Sequence, residues 1–393
     1  MALFSCGQHE TLLALHEAAI AAKEAVGSSL PAGATGFADD TTVFIGERGV
    51  NMLIDSSREI LGRNRVKLRV DKCKILVHPG RRDEVNGIDA EGRAIPPAFE
   101  VVDSGLTVLG TPVGTEGYRR AALEKAFADM ARPVPALTRV DPQSAFTLLQ
   151  LCFNARPCFL TRVSEPHLYM DYVRTFDKAV DNAVAAIART PPSAEIGTLR
   201  SLPQSMGGLS LPRHCGPQSE EGTLASRAMT KSYVMKYRPE LAPGMECWRH
   251  IEVGTGNEAR YRAELVIEDD EEVAFADLDR SLPRDILLRI ADYKYSWMAL
   301  YQRLRRTGRR HHAAWLLSGS STGTGKWLTW RGGLEGRFRF GSEEFVEALR
   351  LRLLVDPLPT PGNSLCPHCA GIRFTDAPLH ALECPRLQPA RRW

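Results

Sequence analysis

The stretch Gly36-Phe37-Ala38-Asp39-Asp40-Thr41-Thr42-Val43-Phe44-Ile45 sets two adjacent carboxylates between apolar arms, with a β-prone run leading out from Thr41 to Ile45. The pattern predicts a tight hairpin with both acids at its tip. Such a pair reads either as a solvated turn or as a clamp for two divalent metals, the arrangement that phosphoryl transfer requires. Upstream, residues 10–26 are rich in Ala, Leu and Glu and predict a helix stopped by Gly27. Downstream, residues 48–62 predict a second helix. Residues 66–77 predict a strand pair broken around Asp71-Lys72-Cys73-Lys74. Val101-Val102 and Leu106 to Leu109 predict another pair, closed by Gly110-Thr111-Pro112-Val113-Gly114. This order over residues 1–115 points to a small α+β unit with one helix-covered sheet.

From Gly117 onward the periodicity is helical, most clearly over residues 119–130, 143–152 and 169–188. A further helix is expected over residues 282–306, with Ser281 as N-cap and Pro283 in its first turn. Residues 318–325 read as a Gly/Ser-rich flexible connector and residues 342–354 as a last helix. Glu268-Asp269-Asp270-Glu271-Glu272 reads as a solvated acidic loop. Gly319 to Lys326 is no P-loop, because five residues separate Gly319 from Gly325 and Trp327 stands where Ser or Thr is required.

The chain has 393 residues, 44% hydrophobic and 25% charged, as in ordinary globular proteins with room for two or three domains. Its net charge of +3 is unevenly spread: residues 301–393 hold 15 Lys+Arg against 7 Asp+Glu, a basic region suited to a polyanion. No apolar run approaches the ~20 residues of a membrane span, and the N-terminus lacks the basic start of a secretory signal. Of the 9 cysteines, Cys366, Cys369 and Cys384 cluster and the others are scattered, which fits a reducing, intracellular setting, nuclear or cytoplasmic, with a metal site.

Phe37-Ala38-Asp39-Asp40 resembles the catalytic motif of reverse transcriptases of non-LTR (LINE-type) retrotransposons, and further blocks follow in the family's order. Leu68-Arg69-Val70-Asp71-Lys72-Cys73 is similar to a segment ending in Lys-Cys, although Arg69 stands where the family usually has Asn. Leu109-Gly110-Thr111-Pro112-Val113-Gly114 resembles the primer-grip turn. Residues 148–162, with Cys152, Arg156-Pro157 and Leu160, resemble a helical block beyond the thumb. Residues 202–212 resemble a Gly-Gly-Leu signature, and Leu351-Arg352-Leu353-Leu354 precedes a terminal Cys/His cluster.

The resemblance implies a partial polymerase palm over 1–115, a helical thumb and connection over 116–300, and a basic region with a zinc knuckle over 301–393. It implies RNA-directed DNA synthesis with Mg²⁺ held by Asp39 and the auxiliary Asp40, on an RNA and DNA template/primer. Lys72 reads either as a partner of the leaving pyrophosphate or as a surface lysine. Leu109, Gly110, Pro112 and Gly114 would bring backbone close to the primer. No aspartate precedes Asp39, where the only acids are Glu10, Glu17 and Glu24. The site therefore lacks its third carboxylate, the chain is expected to begin partway through a polymerase domain, and it is expected to be inactive alone. A non-catalytic nucleic-acid-binding remnant, a decayed reading frame and an incomplete gene remain alternatives.

Cys366-Pro367-His368-Cys369 is followed after ten residues by His380 and after three more by Cys384. This C-x2-C-x10-H-x3-C spacing supplies four ligands for tetrahedral Zn²⁺, with His368 a bystander and His380 and Cys384 one helical turn apart. Arg303, Arg305, Arg306, Arg309, Arg310, His311 and His312 form the densest basic run and read equally as a phosphate-tracking stripe or as a solvated helix face.

Overall fold

The computed structural model describes residues 2–28, 32–37, 40–45, 49–63, 66–78, 80, 99–215, 236, 284–321, 324–329 and 341–356. These form a mixed α+β structure, mostly helical with small sheets, in two compact units. The first unit comprises Met1–Ala126, Leu160–Tyr169 and Thr223–Gly254, and the second Phe127–Phe159, Met170–Gly222 and Thr255–Trp393. Among the described residues no helix is long and apolar enough to cross a membrane.

In the first unit, helix α1 (Ala2–Ala25) starts well before the expected residue 10. It packs on the antiparallel pair β1 (Gly33–Phe37) and β2 (Asp40–Phe44) and on α2 (Val50–Arg63). Ala19, Ala32 and Leu53 close that interface, with Val43 and Ile45 against them. The expected strand pair over residues 66–77 is not formed. Val70–Lys72 makes one tight helical turn, and only β3 (Lys74–Leu76) follows, pairing in parallel with β4 (Glu100–Val102). Val101-Val102 therefore does not pair with Leu106–Leu109. Instead β5 (Gly105–Val108) forms an antiparallel hairpin with β6 (Thr111–Gly114). In place of one helix-covered sheet, the described residues hold three two-stranded ones.

At the open end of the third hairpin Gly105 faces Gly114 in register. A Cβ on Gly114 would fall 2.4 Å from the Gly105 Cα and 2.4 Å from the Ser104 oxygen, so the strands close only because that side chain is missing. Thr115 then starts α3 (Glu116–Ala131): its hydroxyl donates to the Ser104 oxygen at 2.9 Å and accepts the Tyr118 N–H at 3.3 Å.

The second unit is built from α4 (Pro142–Leu148), α7 (Ala194–Ser201), α8 (Arg284–Arg306), α9 (Arg310–Gly319), α10 (Ser342–Arg352) and parts of α5 (Pro157–Val163) and α6 (Pro166–Ile187). Asp141 caps α4 by accepting the Ser144 N–H at 3.1 Å, and Ser193 caps α7 by accepting from Ile196 at 3.2 Å. The helix expected to run through Cys152 widens after Leu148 into a π turn, Leu149–Phe153, whose Asn154 N–H reaches back to the Leu149 oxygen at 2.9 Å. The added residue rotates Asn154 inward, where it is only 3% exposed. Ser281 lies outside the described residues.

One apolar core joins these helices, with Phe146, Phe176, Val184, Leu199, Phe345 and Leu349 essentially without exposed surface and Trp297, Trp315 and Trp327 packed against it. Each such Leu or Phe contributes about 1.5–3 kcal/mol by leaving water. Inside this apolar shell lies a polar knot. Arg200, 0% exposed, donates from Nη2 to Asp177 at 2.8 Å, from Nε to Asp181, and from Nη1 to the Leu211 oxygen at 2.9 Å. Asp177 also accepts the N–H groups of His214 at 2.9 Å and Cys215 at 2.8 Å, and the His214 Nε2 lies 2.6 Å from the Asn154 oxygen.

The Gly/Ser-rich residues expected as a flexible connector are instead tied down where they are described. Arg352 donates to the oxygens of Gly319 at 2.8 Å and Gly208 at 3.3 Å, to the Thr324 hydroxyl at 3.3 Å, and to the Gln204 oxygen.

Candidate functional site

Asp40 opens β2 opposite Phe37, so two residues lie between the paired strands. Asp39 is one of them and lies outside the described residues, as do Cys366, Cys369, His380 and Cys384. Asp40 thus stands at the tip end of the hairpin, as its sequence predicts.

Lys72 ends the Val70–Lys72 turn and is exposed. Beside it, Arg69 grips Asp71 through two contacts, Nη2 to Oδ2 at 2.6 Å and Nε to Oδ1 at 3.1 Å, which holds the Asp71 carboxyl below its ordinary range. Arg69, the departure from the resembled motif, therefore pins its own turn. The neighbouring Cys73 thiol is pushed up by burial and sits 3.3 Å from the Arg69 oxygen, which leaves it little thiolate character.

Leu109 and Gly110 form the two-residue loop between β5 and β6, with φ of 49° and 82°. Positive φ at both positions is the turn that matches strand twist, but it favours Asn or Gly over Leu. Leu109 is also 45% exposed, so neither backbone preference nor burial accounts for it. Leu109→Asn is expected to raise stability by about 1 kcal/mol, read from the urea midpoint. A lowered midpoint would show that the leucine packs usefully.

The β6 strand of this hairpin lines a cleft of about 240 Å³ within the first unit. Pro112, Val113 and Gly114 form one side, Arg119 and Leu123 of α3 the second, and Val163, Ser164, Glu165 and Leu168 the third. Arg119 Nη1 lies 2.5 Å from the Glu165 carboxylate. Its Nε and the Ser164 hydroxyl are buried without a hydrogen-bond partner among the described residues. Two unpaired polar groups in one cleft are costly, about 1–3 kcal/mol each. Pro112 and Gly114 follow from the primer-grip resemblance. Arg119, Ser164 and Glu165 do not, because they lie a few residues beyond the segments 109–114 and 148–162 that carry the motifs.

In the second unit the basic run divides in two. Arg309 is structural: it pairs with Glu195 at 2.7 Å and donates to the Leu354 oxygen at 3.1 Å. Arg303 stands 3.8 Å from the same Glu195 but remains exposed, as do Arg305, Arg306 and Arg310. Four arginines on the end of α8 and the start of α9 are thus presented to solvent.

Behind them His311, His312 and Asp356 bring donor atoms within 4.8 Å of one another. The Asp356 Oδ1 lies 3.3 Å from His312 Nε2 and 3.8 Å from His311 Nε2. Arg309 Nε donates to His312 Nδ1 at 3.1 Å, so the single proton of the neutral ring belongs on Nε2, the atom a metal would need. Burial and the neighbouring Arg309 push the His312 pKa down to about 4, and the helix start adds further positive potential. The cluster fits a neutral histidine facing a carboxylate better than a cation site.

The residues that resemble a Gly-Gly-Leu signature serve architecture. Leu209 and Leu211 are fully buried, and their N–H groups bond to the Leu199 and Arg200 oxygens at 3.0 and 2.7 Å. Likewise Cys215, its thiol pushed up to about 12 mainly by burial, is no nucleophile.

No protein-family model matches the chain, and comparison with curated proteins and with solved structures gives no match either.

Proposed function

We propose that this chain is part of a non-LTR retrotransposon reverse transcriptase that binds nucleic acid and does not polymerise by itself. The observation that carries the reading is the antiparallel β1–β2 hairpin with Asp40 at the tip end of its second strand, followed in the resembled order by the Lys72 turn and the Leu109-Gly110 hairpin. In this reading the first unit derives from a palm, with Asp39 and Asp40 as its Mg²⁺ ligands, and the helices of the second derive from thumb and connection. Cys366, Cys369, His380 and Cys384 would hold Zn²⁺. Asp39 and Asp40 alone do not fix two metals, and residues 1–38 contribute no aspartate.

Exposed Arg303, Arg305, Arg306 and Arg310 supply backbone neutralisation, which implies affinity that falls steeply with salt, with a log–log slope of about −0.9 per duplex phosphate contacted. Titrating the full chain against labelled RNA and DNA at two salt concentrations tests this. Binding should weaken at least tenfold when the four arginines become glutamine, and primer extension on poly-rA/oligo-dT with Mg²⁺ should give no product. Extension that Asp39→Ala abolishes would overturn the non-catalytic part of the reading, and salt-independent binding would remove the arginines from it. Elemental analysis should find about one Zn²⁺ per chain, lost in Cys369→Ser.

A further inference from the structure

The geometry points to the exposed guanidinium of Arg305 as a stacking platform for one base of a single-stranded nucleic acid, an inference that rests on the nucleic-acid reading above. Trp297, Tyr301 and Arg305 stand four residues apart on α8 and form a ladder of flat groups. The Trp297 and Tyr301 rings stack with centroids 5.4 Å apart and planes inclined by 11°. The Arg305 guanidinium carbon lies over the Tyr301 ring, 6.0 Å from its centre, within reach of a cation–π contact. The lower rungs are fixed. Both rings pack against the core, and Trp297 Nε1 donates at 3.0 Å to the Ser320 hydroxyl, which itself donates to the Leu316 oxygen at 2.8 Å. The top rung is open, because Arg305 is exposed.

Charge says what the platform would hold. Arg303 and Arg306, both exposed, lie about 160° and 100° round the helix from Arg305. Phosphate-neutralising charge and the flat ladder therefore occupy different faces of one helix end. A duplex can use only the charge, since its bases are paired and stacked inward. A single strand can use both, with phosphates on Arg303 and Arg306 and a splayed base on the plane of Arg305, a surface on which unpaired bases stack. The Tyr301 ring holds that plane in place beforehand, so less side-chain freedom is lost when a base lands on it. Stacking reads no base edge, so the platform accepts any base.

The test titrates the full chain at low salt against three labelled DNAs, followed by fluorescence anisotropy. They are an eight-nucleotide oligo-dT, a sugar-phosphate strand of the same length without bases, and an eight-base-pair duplex closed by a base-free linker. The two single strands carry the same phosphates, and charge alone favours the duplex, with a phosphate about every 1.7 Å of its axis. Oligo-dT should bind about tenfold tighter than the base-free strand, within what one stacked base contributes, and tighter than the duplex. Both single strands should show the same salt dependence, since their phosphate contacts are the same. Arg305→Lys, which keeps the charge and loses the plane, should bring the ratio between the two single strands close to one. The comparison of strands on the unaltered chain needs no variant to fold. Equal affinity for the two single strands, a duplex bound as tightly as oligo-dT, or a ratio that survives Arg305→Lys overturns the platform while the nucleic-acid reading stands. Failure of all three DNAs to bind overturns that reading itself.

Discussion

Arg200→Ala is expected to destabilise the second unit by about 3–5 kcal/mol, enough to unfold many domains of this size. The loss comes less from the contacts removed than from what remains. The Asp177 side chain, 4% exposed, would keep its charge with its cationic partner gone. The carbonyls of Leu211 and Pro212, which accept from Arg200 Nη1 at 2.9 and 3.3 Å, would lose a donor as well. Urea unfolding followed by far-ultraviolet circular dichroism measures the effect. The control is Arg189→Ala, which removes an equally short two-point pair with Glu343, at 2.6 Å for each contact, on the surface. Its midpoint should be hard to distinguish from that of the unaltered chain, because water and salt screen exposed pairs. Equal effects of the two substitutions would show that burial does not set the cost.

The same knot sets an acid limit. Burial lowers the His214 pKa below its ordinary 6.5. Below about pH 6.5 the unfolded chain takes up a proton that the native one refuses. Stability from this source is complete above that value and falls as pH drops toward the lower native pKa. In His214→Asn the loss of stability between pH 7.5 and 5.5 should be smaller than in the unaltered chain.

Gly208→Ala is expected to cost about 3 kcal/mol or more, a large effect for one methyl group. The new Cβ would sit 2.1 Å from the Leu202 oxygen and 2.5 Å from its carbon. Both are backbone atoms of a loop already bonded on either side, by Gly208 N–H to the Pro203 oxygen at 3.0 Å and Ser210 N–H to the Leu202 oxygen at 2.9 Å. No side chain can swing aside to relieve the contact. Gly207→Ala, whose Cβ would meet the flexible Leu316 Cδ1 at 3.2 Å, should lose only the backbone penalty of a φ of 84°, about 1 kcal/mol. A thermal melt of both variants decides whether the tight position is the one inferred.

The helices were largely legible in the sequence, since a period of 3.6 residues repeats over many turns: the expectation over residues 119–130 meets Glu116–Ala131, and that over 342–354 meets Ser342–Arg352. The strands were legible only as local β preference. Three-residue strands carry too little alternation to name a partner, and β3 finds its partner beyond a long intervening segment whose several turn signals, Pro79-Gly80, Asn86-Gly87 and Pro96-Pro97, name no single hairpin. The hairpin around Gly110 was misassigned by one strand for that reason. Buried polar groups were the least visible. Asp177, Asp181, Arg200 and His214 read as surface residues one at a time. A faint signal existed, because Asp177 and Asp181 stand four apart and so share one face of a helix with the apolar Val173, Val180 and Val184. The cleft residues Arg119 and Ser164 are far apart in sequence, and only folding makes them neighbours.

Arg352 carries a consequence for how the protein comes into being. Its guanidinium fixes the carbonyls of Gln204, Gly208 and Gly319, and it is itself only 8% exposed. Those carbonyls leave the ribosome long before the residue that will satisfy them, at a synthesis rate of about 5–20 residues per second. For many seconds the nascent second unit must hold a loop whose polar groups have no lasting donor and whose leucines have no finished core. A message interrupted anywhere ahead of codon 352 would release a chain in that waiting condition, a natural client for chaperones and proteases. Closure of the loop around Gly208 therefore waits on residue 352.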